Sequence, residues 1–197
     1  KKIYEKELSV LNFGNASIID RLKGRIYIKA SGIDVESCKF SNIVEVKINN
    51  FKPKKYLKLK PSVDTVIHIE LYKYLKNINC IIHTHSEFST ILSQANIEPE
   101  CFGTTHADYF SGSIPISDRI NKVDKKNYEY QIAKSIIKKL KRKRQYLPGI
   151  LLRDHGVSAW GKNEKEALDN LMAIEYICKL YFKTKMMIKK PKISKSL

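Results

Sequence analysis

The stretch Ile78-Asn79-Cys80-Ile81-Ile82-His83-Thr84-His85 joins a short apolar run to two histidines. Its first five residues have the length and apolar character of a buried strand. Side chains at positions i and i+2 of an extended chain point the same way, so His83 and His85 can face one ion. At nitrogen–metal distances of about 2.0–2.1 Å, two such imidazoles would supply half of a tetrahedral zinc site.

A third nitrogen ligand must come from elsewhere, and His155 is the best candidate. It follows the apolar run Ile150-Leu151-Leu152, and Gly156 after it leaves room for close approach of the backbone. Three histidines with one open position are the arrangement of a catalytic zinc ion that polarises a substrate oxygen. An isolated His-x-His pair is more often two unrelated surface histidines. His68 and His106 are interpreted as an ordinary helix residue and a loop residue.

Strand and helix patterns alternate on both sides of this stretch. Arg25–Lys29 and Ile43–Ile48 alternate polar and apolar residues, as half-buried strands do. Thr65–Lys76 looks helical, and Tyr128–Arg144 has apolar residues at helical spacing. These patterns predict an α/β protein with one mixed or antiparallel sheet and helices packed around it.

A helix is the last element that the sequence predicts. It begins at Asn163, which can cap it, and Glu166 follows three residues later as in a capping box. The lysine-rich segment from about residue 183 is predicted to be a frayed tail. The chain has 197 residues and neither a linker nor an internal repeat, so residues 1–197 are predicted to form one domain.

The composition is that of a globular protein, with 43% hydrophobic and 29% charged residues. No apolar run reaches the roughly 18 residues that would span a bilayer, and the first residues lack the pattern of a signal peptide. We therefore expect a cytoplasmic protein with no membrane partner. Its four widely spaced cysteines predict free, mostly buried thiols in a reducing compartment.

The charge is strongly positive, because 37 basic and 20 acidic residues give a net charge of +17. Such a surface attracts anions, whether nucleic acid, membrane or phosphorylated metabolites. The lysines are spread along the chain, and the run Lys138–Arg144 is best explained as the solvated end of a helix. We expect no nucleic-acid partner; a basic nucleic-acid binder would instead show steeply salt-dependent affinity.

Five segments, in this order, resemble the class II aldolase family, whose fold also serves the adducin head domain. They are Gly14-Asn15-Ala16-Ser17, Lys29-Ala30-Ser31-Gly32, Lys60-Pro61-Ser62-Val63-Asp64, His83-Thr84-His85-Ser86 and His155-Gly156-Val157-Ser158-Ala159-Trp160-Gly161-Lys162. They cover the chain from about Leu11 to Tyr181. The resemblance implies a three-layer α/β/α sandwich with a mostly antiparallel central sheet. It also implies a cytoplasmic homotetramer with active sites between subunits.

The resemblance also assigns residues to a site. The metal ligands would be His83, His85 and His155, with Asp64 as a fourth ligand or close neighbour, and the ion would be Zn²⁺. The residues that would hold the substrate, chiefly its phosphate, are Gly14, Asn15, Lys29, Ser31, Gly32, Ser62 and Val63. Val63 stands where the family carries a second serine. Glycine N–H groups and neutral side-chain donors suit an anion, although turn chemistry alone would also explain the glycines and serines.

Within the family, Gly103–Phe110 and the aspartate at position 64 are most similar to L-ribulose-5-phosphate 4-epimerase. The implied function is inversion at C4 of a phosphorylated ketopentose, L-ribulose 5-phosphate, to give D-xylulose 5-phosphate. Carbon 4 carries no acidic proton, so the C3–C4 bond must break and re-form while zinc stabilises an enediolate. Two acid/base groups are needed, one for each face of the aldehyde, and Asp108 is predicted to be one.

The second acid/base of these epimerases is a tyrosine near the C-terminus, contributed by a neighbouring subunit. No tyrosine follows Phe182 in this chain. Three alternatives therefore stay open: a class II aldolase that stops at cleavage, a related sugar-phosphate epimerase, and a degenerate copy with weak activity. A non-catalytic binding module is a fourth, from another class.

Overall fold

The described strands form one sheet in which every pair is antiparallel. The computed structural model describes residues 2–51, 58–120, 127–143 and 146–188. The strands are β1 (Asn15–Asp20), β2 (Arg25–Lys29), β3 (Ile43–Lys47), β4 (Cys80–Thr84), β5 (Gly149–Leu152) and β6 (Gly156–Gly161). Their order across the sheet is β3-β2-β1-β4-β6-β5, so β4, which carries His83, lies in the interior.

Helices cover both faces of this sheet. They are α1 (Lys2–Glu5), α2 (Thr65–Tyr74), α3 (Glu87–Ala95), α4 (Thr104–Ala107), α5 (Tyr128–Lys143) and α6 (Glu164–Ile188), and a 3-10 turn spans Phe40–Asn42. None of these helices is long and apolar enough to cross a membrane.

The two faces can be told apart by the side chains they present. Tyr72 of α2 shares a hydrogen bond with Ser17, which pairs with Ile81 across the sheet. Ile174 of α6 lies over Gly149. Gly149 pairs with Ala159, and Ala159 pairs with Ile82, so these three residues lie on the same face of the sheet. Neighbouring residues of a strand face opposite ways, so α2, with α5 packed on it, covers one face, and α6, with α3, covers the other. The predicted α/β/α sandwich with an antiparallel sheet is confirmed.

Most element boundaries lie close to those predicted. The strand at Arg25–Lys29 is confirmed, and the others that were predicted shift by one or two residues. The clearest difference is in β4, which begins at Cys80 and runs through Thr84, so that His83 lies inside the strand. The reason is pairing on both sides, since His83 is opposite Asn15 of β1 and Ser158 of β6. Arg144, the predicted end of α5, lies outside the described residues.

The last helix starts as predicted and ends later. The Asn163 side chain accepts a hydrogen bond from the Glu166 N–H at 2.8 Å, and the Glu166 carboxylate accepts one from the Lys162 N–H at 3.0 Å. The helix then continues to Ile188, beyond the point at which a frayed tail was expected. Lys185 supports this extension because it pairs with Glu100 at 3.2 Å. Residues 189–197 of the predicted tail lie outside the described residues.

The four cysteines are free, as predicted. Cys80 and Cys178 are buried, whereas Cys38 is half-buried and Cys101 is exposed. Burial raises the pKa of Cys80 to about 12, so its thiol stays protonated.

Candidate metal centre

The predicted site segments meet at one end of the sheet. The antiparallel pairing brings the start of β1, at Asn15, beside His83 near the end of β4. It also brings the start of β6 beside Thr84, so the turn that holds His155 lies next to His85. Segments that are distant in the sequence therefore converge because the central strands alternate in direction.

The three histidines form a compact cluster of nitrogen donors. The Nε2 atoms of His83 and His85 are 3.2 Å apart, and one donor atom from each of the three rings lies within 4.8 Å of the others. Donors bound tetrahedrally at zinc–nitrogen distances of about 2.0–2.1 Å are separated by about 3.3 Å. The spacing of His83 and His85 therefore fits a divalent ion, and His155 offers a third donor atom within 4.8 Å.

The orientation and charge state of His83 also suit a ligand. Its Nδ1 lies 2.8 Å from the Val157 carbonyl oxygen, an acceptor to which it donates, and this leaves the Nε2 lone pair facing the cluster. Burial, helped by the nearby His85, lowers the pKa of His83 below its usual range. Burial likewise lowers the pKa of His85, against whose ring Phe13 stacks with centroids 5.7 Å apart. Neutral imidazoles are the form that binds metal.

Two glycines allow the backbone to close around the histidines. A Cβ atom at Gly156 would lie 2.4 Å from the Thr84 carbonyl oxygen and 3.1 Å from Cδ2 of His85. A Cβ atom at Gly14 would lie 2.6 Å from the His83 carbonyl oxygen, and the φ of Gly14 is +90°. Larger residues at either position would push the ligand strand away.

Asp64 lies beside the cluster at the N-terminal end of α2. Its Oδ2 is 4.0 Å from Nε2 of His83 and accepts a hydrogen bond of 2.6 Å from the Asn15 side chain. Burial would raise the pKa of Asp64, but the three nearby imidazoles and the Asn15 hydrogen bond outweigh it and hold this pKa below its usual range. The ionised carboxylate is thus held where it can approach a cation. Asn15 was predicted to hold substrate, but its side chain is buried and engaged with Asp64.

Of the other predicted substrate residues, Ser31 and Gly32 follow β2, whereas Ser62 and Val63 precede α2. The Ser31 N–H donates to the Lys60 carbonyl oxygen at 2.9 Å, and the Ser62 N–H donates to the Lys29 carbonyl oxygen at 3.2 Å. These bonds place the Ser31–Gly32 loop beside Ser62, just before α2. Ser31, Gly32 and Val63 are exposed, whereas Ser62 is buried.

The side chain of Lys29 makes contacts that differ from the predicted ones. Its ammonium was predicted to add positive charge beside a phosphate. Instead, it is buried and donates to the Ala30 and Ile33 carbonyl oxygens. Burial lowers the pKa of Lys29. In this conformation the side chain fixes the Ser31–Gly32 loop and does not point into solvent.

His68 was interpreted as an ordinary helix residue, but it is buried close to Asp64. Its Nδ1 is 2.7 Å from the Ser17 hydroxyl oxygen, which is in turn 2.9 Å from the Tyr72 hydroxyl oxygen. Its Nε2 is buried without a hydrogen-bond partner. The signal in the sequence was its spacing, four residues after Asp64, which places both side chains on one side of α2.

Acidification is expected to destabilise the protein through His68. Burial lowers the pKa of this imidazole from 6.5 to about 4, so over that range the unfolded chain binds a proton that the folded chain excludes. The free energy of unfolding should therefore fall as the pH drops through this window, by roughly 3 kcal/mol from His68 alone. Urea titrations of metal-free protein should show a smaller fall in His68→Asn, which keeps a partner for Ser17. Equal falls would contradict the prediction.

Asp108 lies at the C-terminal end of α4, and its side chain is exposed. Among the described residues, no hydrogen bond or ion pair joins it to the three histidines. The neighbouring His106 is buried, with its Nε2 2.8 Å from the Gly112 carbonyl oxygen. The role of Asp108 in catalysis therefore stays a prediction.

Comparison with known proteins gives a consistent result over most of the chain. The family model "Class II Aldolase and Adducin N-terminal domain" matches residues 1–182. The fold is similar to an L-fuculose 1-phosphate aldolase, at 25% identity and a TM-score of 0.80, covering 96% of this chain and 84% of that one. It is also similar to the L-fuculose-1-phosphate aldolase of Thermus thermophilus, at 19% identity, TM-score 0.75 and coverage of 95% and 90%. A sugar-phosphate aldolase from Thermotoga maritima matches at 19% identity, TM-score 0.69 and coverage of 96% and 93%.

Proposed function

Because the chain belongs to the class II aldolase and adducin family, we propose that it is a metal-dependent enzyme that breaks a carbon–carbon bond of a sugar phosphate. The observation that carries this proposal is the cluster of His83, His85 and His155, whose donor atoms lie within 4.8 Å of one another. Three nitrogen donors and a nearby carboxylate suit Zn²⁺. We place the reaction in the cytoplasm, where the enzyme would encounter the proposed sugar phosphates.

The site residues would have different roles in this reaction. A zinc ion, when bound, supplies the positive charge that stabilises the electron pair left on the ketone fragment when the bond breaks. Asp64, kept ionised and oriented by Asn15, helps to hold that ion. The Gly32 N–H and the hydroxyls of Ser31 and Ser62 would bind the phosphate, which keeps the aldehyde fragment in place after cleavage.

The specific reaction that we propose is inversion at C4 of L-ribulose 5-phosphate to D-xylulose 5-phosphate. Its support is the aspartate at position 64 and the Gly103–Phe110 segment, both similar to the 4-epimerases. Asp108 would act as one acid/base group. Its exposed position suits action in the metal centre of a neighbouring copy, as in a homotetramer with sites between subunits.

Replacing Asp108 with asparagine is expected to lower kcat for epimerisation about 10²- to 10⁴-fold, the usual contribution of a positioned acid/base group. The metal content should not change, because Asp108 is not among the clustered donors. Asp169→Asn is a matched control, since Asp169 is an exposed carboxylate on α6 paired with Lys165. An unchanged rate in Asp108→Asn, measured by conversion of L-ribulose 5-phosphate, would remove its assigned role.

A class II aldolase that stops at cleavage is the second candidate. It is favoured by the similarity, at 25% identity, to an L-fuculose 1-phosphate aldolase. Product analysis separates the two. Zinc-loaded protein incubated with L-ribulose 5-phosphate should give D-xylulose 5-phosphate if it is an epimerase, whereas glycolaldehyde phosphate should accumulate if it is an aldolase. Absence of both products, together with cleavage of L-fuculose 1-phosphate, would favour the aldolase.

A further inference from the structure

A cavity lies beside the metal centre, on the side away from the predicted phosphate loops. It holds about 90 Å³ and is lined by Ser117, Asp118, Tyr128, Ile132 and the turn Leu152–His155, among others. His155 is thus shared between the metal centre and the cavity wall. The space is large enough for a few water-sized groups.

The order of the strands places the cavity relative to a bound sugar phosphate. The Ser31–Gly32 loop follows β2, His83 lies on β4, and the cavity borders the turn between β5 and β6. The sheet order β2-β1-β4-β6-β5 therefore puts the metal centre between the phosphate loops and the cavity. A ketose phosphate that is bound through its phosphate and through C2–C3 would extend its C1 end into the cavity.

Tyr128, at the start of α5, lines this cavity together with Asp154, whose charge acts on the Tyr128 hydroxyl. No hydrogen bond joins that hydroxyl to another residue in the described part of the chain. Burial raises the pKa of Tyr128, and the carboxylates of Glu129, Asp154 and Asp64 add to this, so the phenol keeps its proton at neutral pH. A half-buried protonated hydroxyl with no partner is a donor available to a ligand.

From this geometry we infer that the cavity holds the C1 hydroxymethyl end of the sugar phosphate and that Tyr128 donates a hydrogen bond to its oxygen. The inference rests on the proposed function, because it takes C5 as the phosphate end and C2–C3 as the part facing the metal. It assigns Tyr128 to substrate selection within the same subunit. Ketose phosphates that lack the C1 hydroxyl would leave the Tyr128 hydroxyl without its acceptor.

The test compares two ligands that differ only at C1. Apparent dissociation constants of D-xylulose 5-phosphate and 1-deoxy-D-xylulose 5-phosphate, each taken over the mixture of C4 epimers that the protein produces, are measured by equilibrium dialysis against zinc-loaded protein, Tyr128→Phe and Tyr130→Phe. Tyr130 is the matched control, since it is exposed on the same helix and does not line the cavity. The unaltered protein should bind the deoxy sugar about three- to tenfold more weakly, as expected for one neutral hydrogen bond. That ratio should fall to about one in Tyr128→Phe and persist in Tyr130→Phe.

The outcomes separate this inference from the function on which it rests. If the unaltered protein binds both sugars equally, or if Tyr128→Phe keeps the ratio, the role of Tyr128 is wrong while sugar-phosphate binding stands. If the unaltered protein binds neither sugar, the proposed function fails and the inference falls with it. The thermal unfolding midpoint of each variant verifies that the substitution leaves the fold intact. Equal binding of the two sugars by the unaltered protein would overturn the inference whatever the variants show.

Discussion

Replacing His83 and His85 together with alanine is expected to abolish metal binding and to lower kcat/KM by about 10³-fold or more. Two of the three clustered donors disappear, and a single imidazole at His155 with the nearby Asp64 holds zinc poorly. The rate falls because the charge that the ion supplies contributes several kcal/mol to stabilising the transition state. Elemental analysis of protein purified without chelator measures the first effect, and product formation measures the second.

His106→Ala is the matched control for this pair. His106 is also a buried histidine, but it contacts the Gly112 carbonyl oxygen and is not part of the cluster. Its variant should keep the metal even if it loses some stability. A double variant that still carries one equivalent of metal, or unaltered protein that carries none, would contradict the assignment of the cluster as a metal centre.

Gly156→Ala is expected to weaken metal binding about 10- to 100-fold and to destabilise the fold by about 1–3 kcal/mol. The added Cβ would lie 2.4 Å from the Thr84 carbonyl oxygen, which belongs to the backbone of β4 and cannot rotate away. The strands must separate, and His85 moves with them. Zinc titration and urea unfolding of the same preparation measure the two effects.

Gly103→Ala provides the comparison, since nothing lies within 4 Å of a Cβ atom built at that position. It should change the free energy of unfolding by less than about 0.5 kcal/mol and leave zinc affinity unaltered. If Gly156→Ala behaved in the same way, the close approach of β6 to His85 would not be needed for the site.

The histidine cluster shows which parts of the site can be predicted from the sequence. The direction shared by His83 and His85 follows from strand geometry alone, so two positions in the sequence are sufficient to predict it. The approach of His155 depends on the pairing of β4 with β6, where Thr84 is opposite Val157. That register cannot be read from local pattern. The apolar run before His155 made it a candidate ligand, and the family resemblance assigned it to the site.

Lys29 and His68 show where sequence reasoning was insufficient. The charge of Lys29 suggested phosphate binding, but the chain after β2 turns so that the Ala30 and Ile33 carbonyl oxygens surround the ammonium. The sequence did not single out His68, because its contact with Ser17 depends on the packing of α2 against β1. The contacts of Lys29 and His68 are set by tertiary packing, which a local pattern does not show. The α/β class followed from local periodicity, whereas the three-layer antiparallel arrangement was implied by the family resemblance.

The position of β4 within the sheet has a consequence for how the site opens. In the described sheet, β4 and β6 each have a neighbour on both sides, while β3 has only β2. Edge strands exchange their amide hydrogens through small local openings that leave interior strands closed. We expect protection from exchange to be lower in β3 than in β4. The predicted phosphate loop after β2 lies one strand from this edge, so it would open more readily than the strand that carries His83. In the reaction proposed above, product would then leave while the ion stays bound, and the metal would not need to be reloaded in each catalytic cycle.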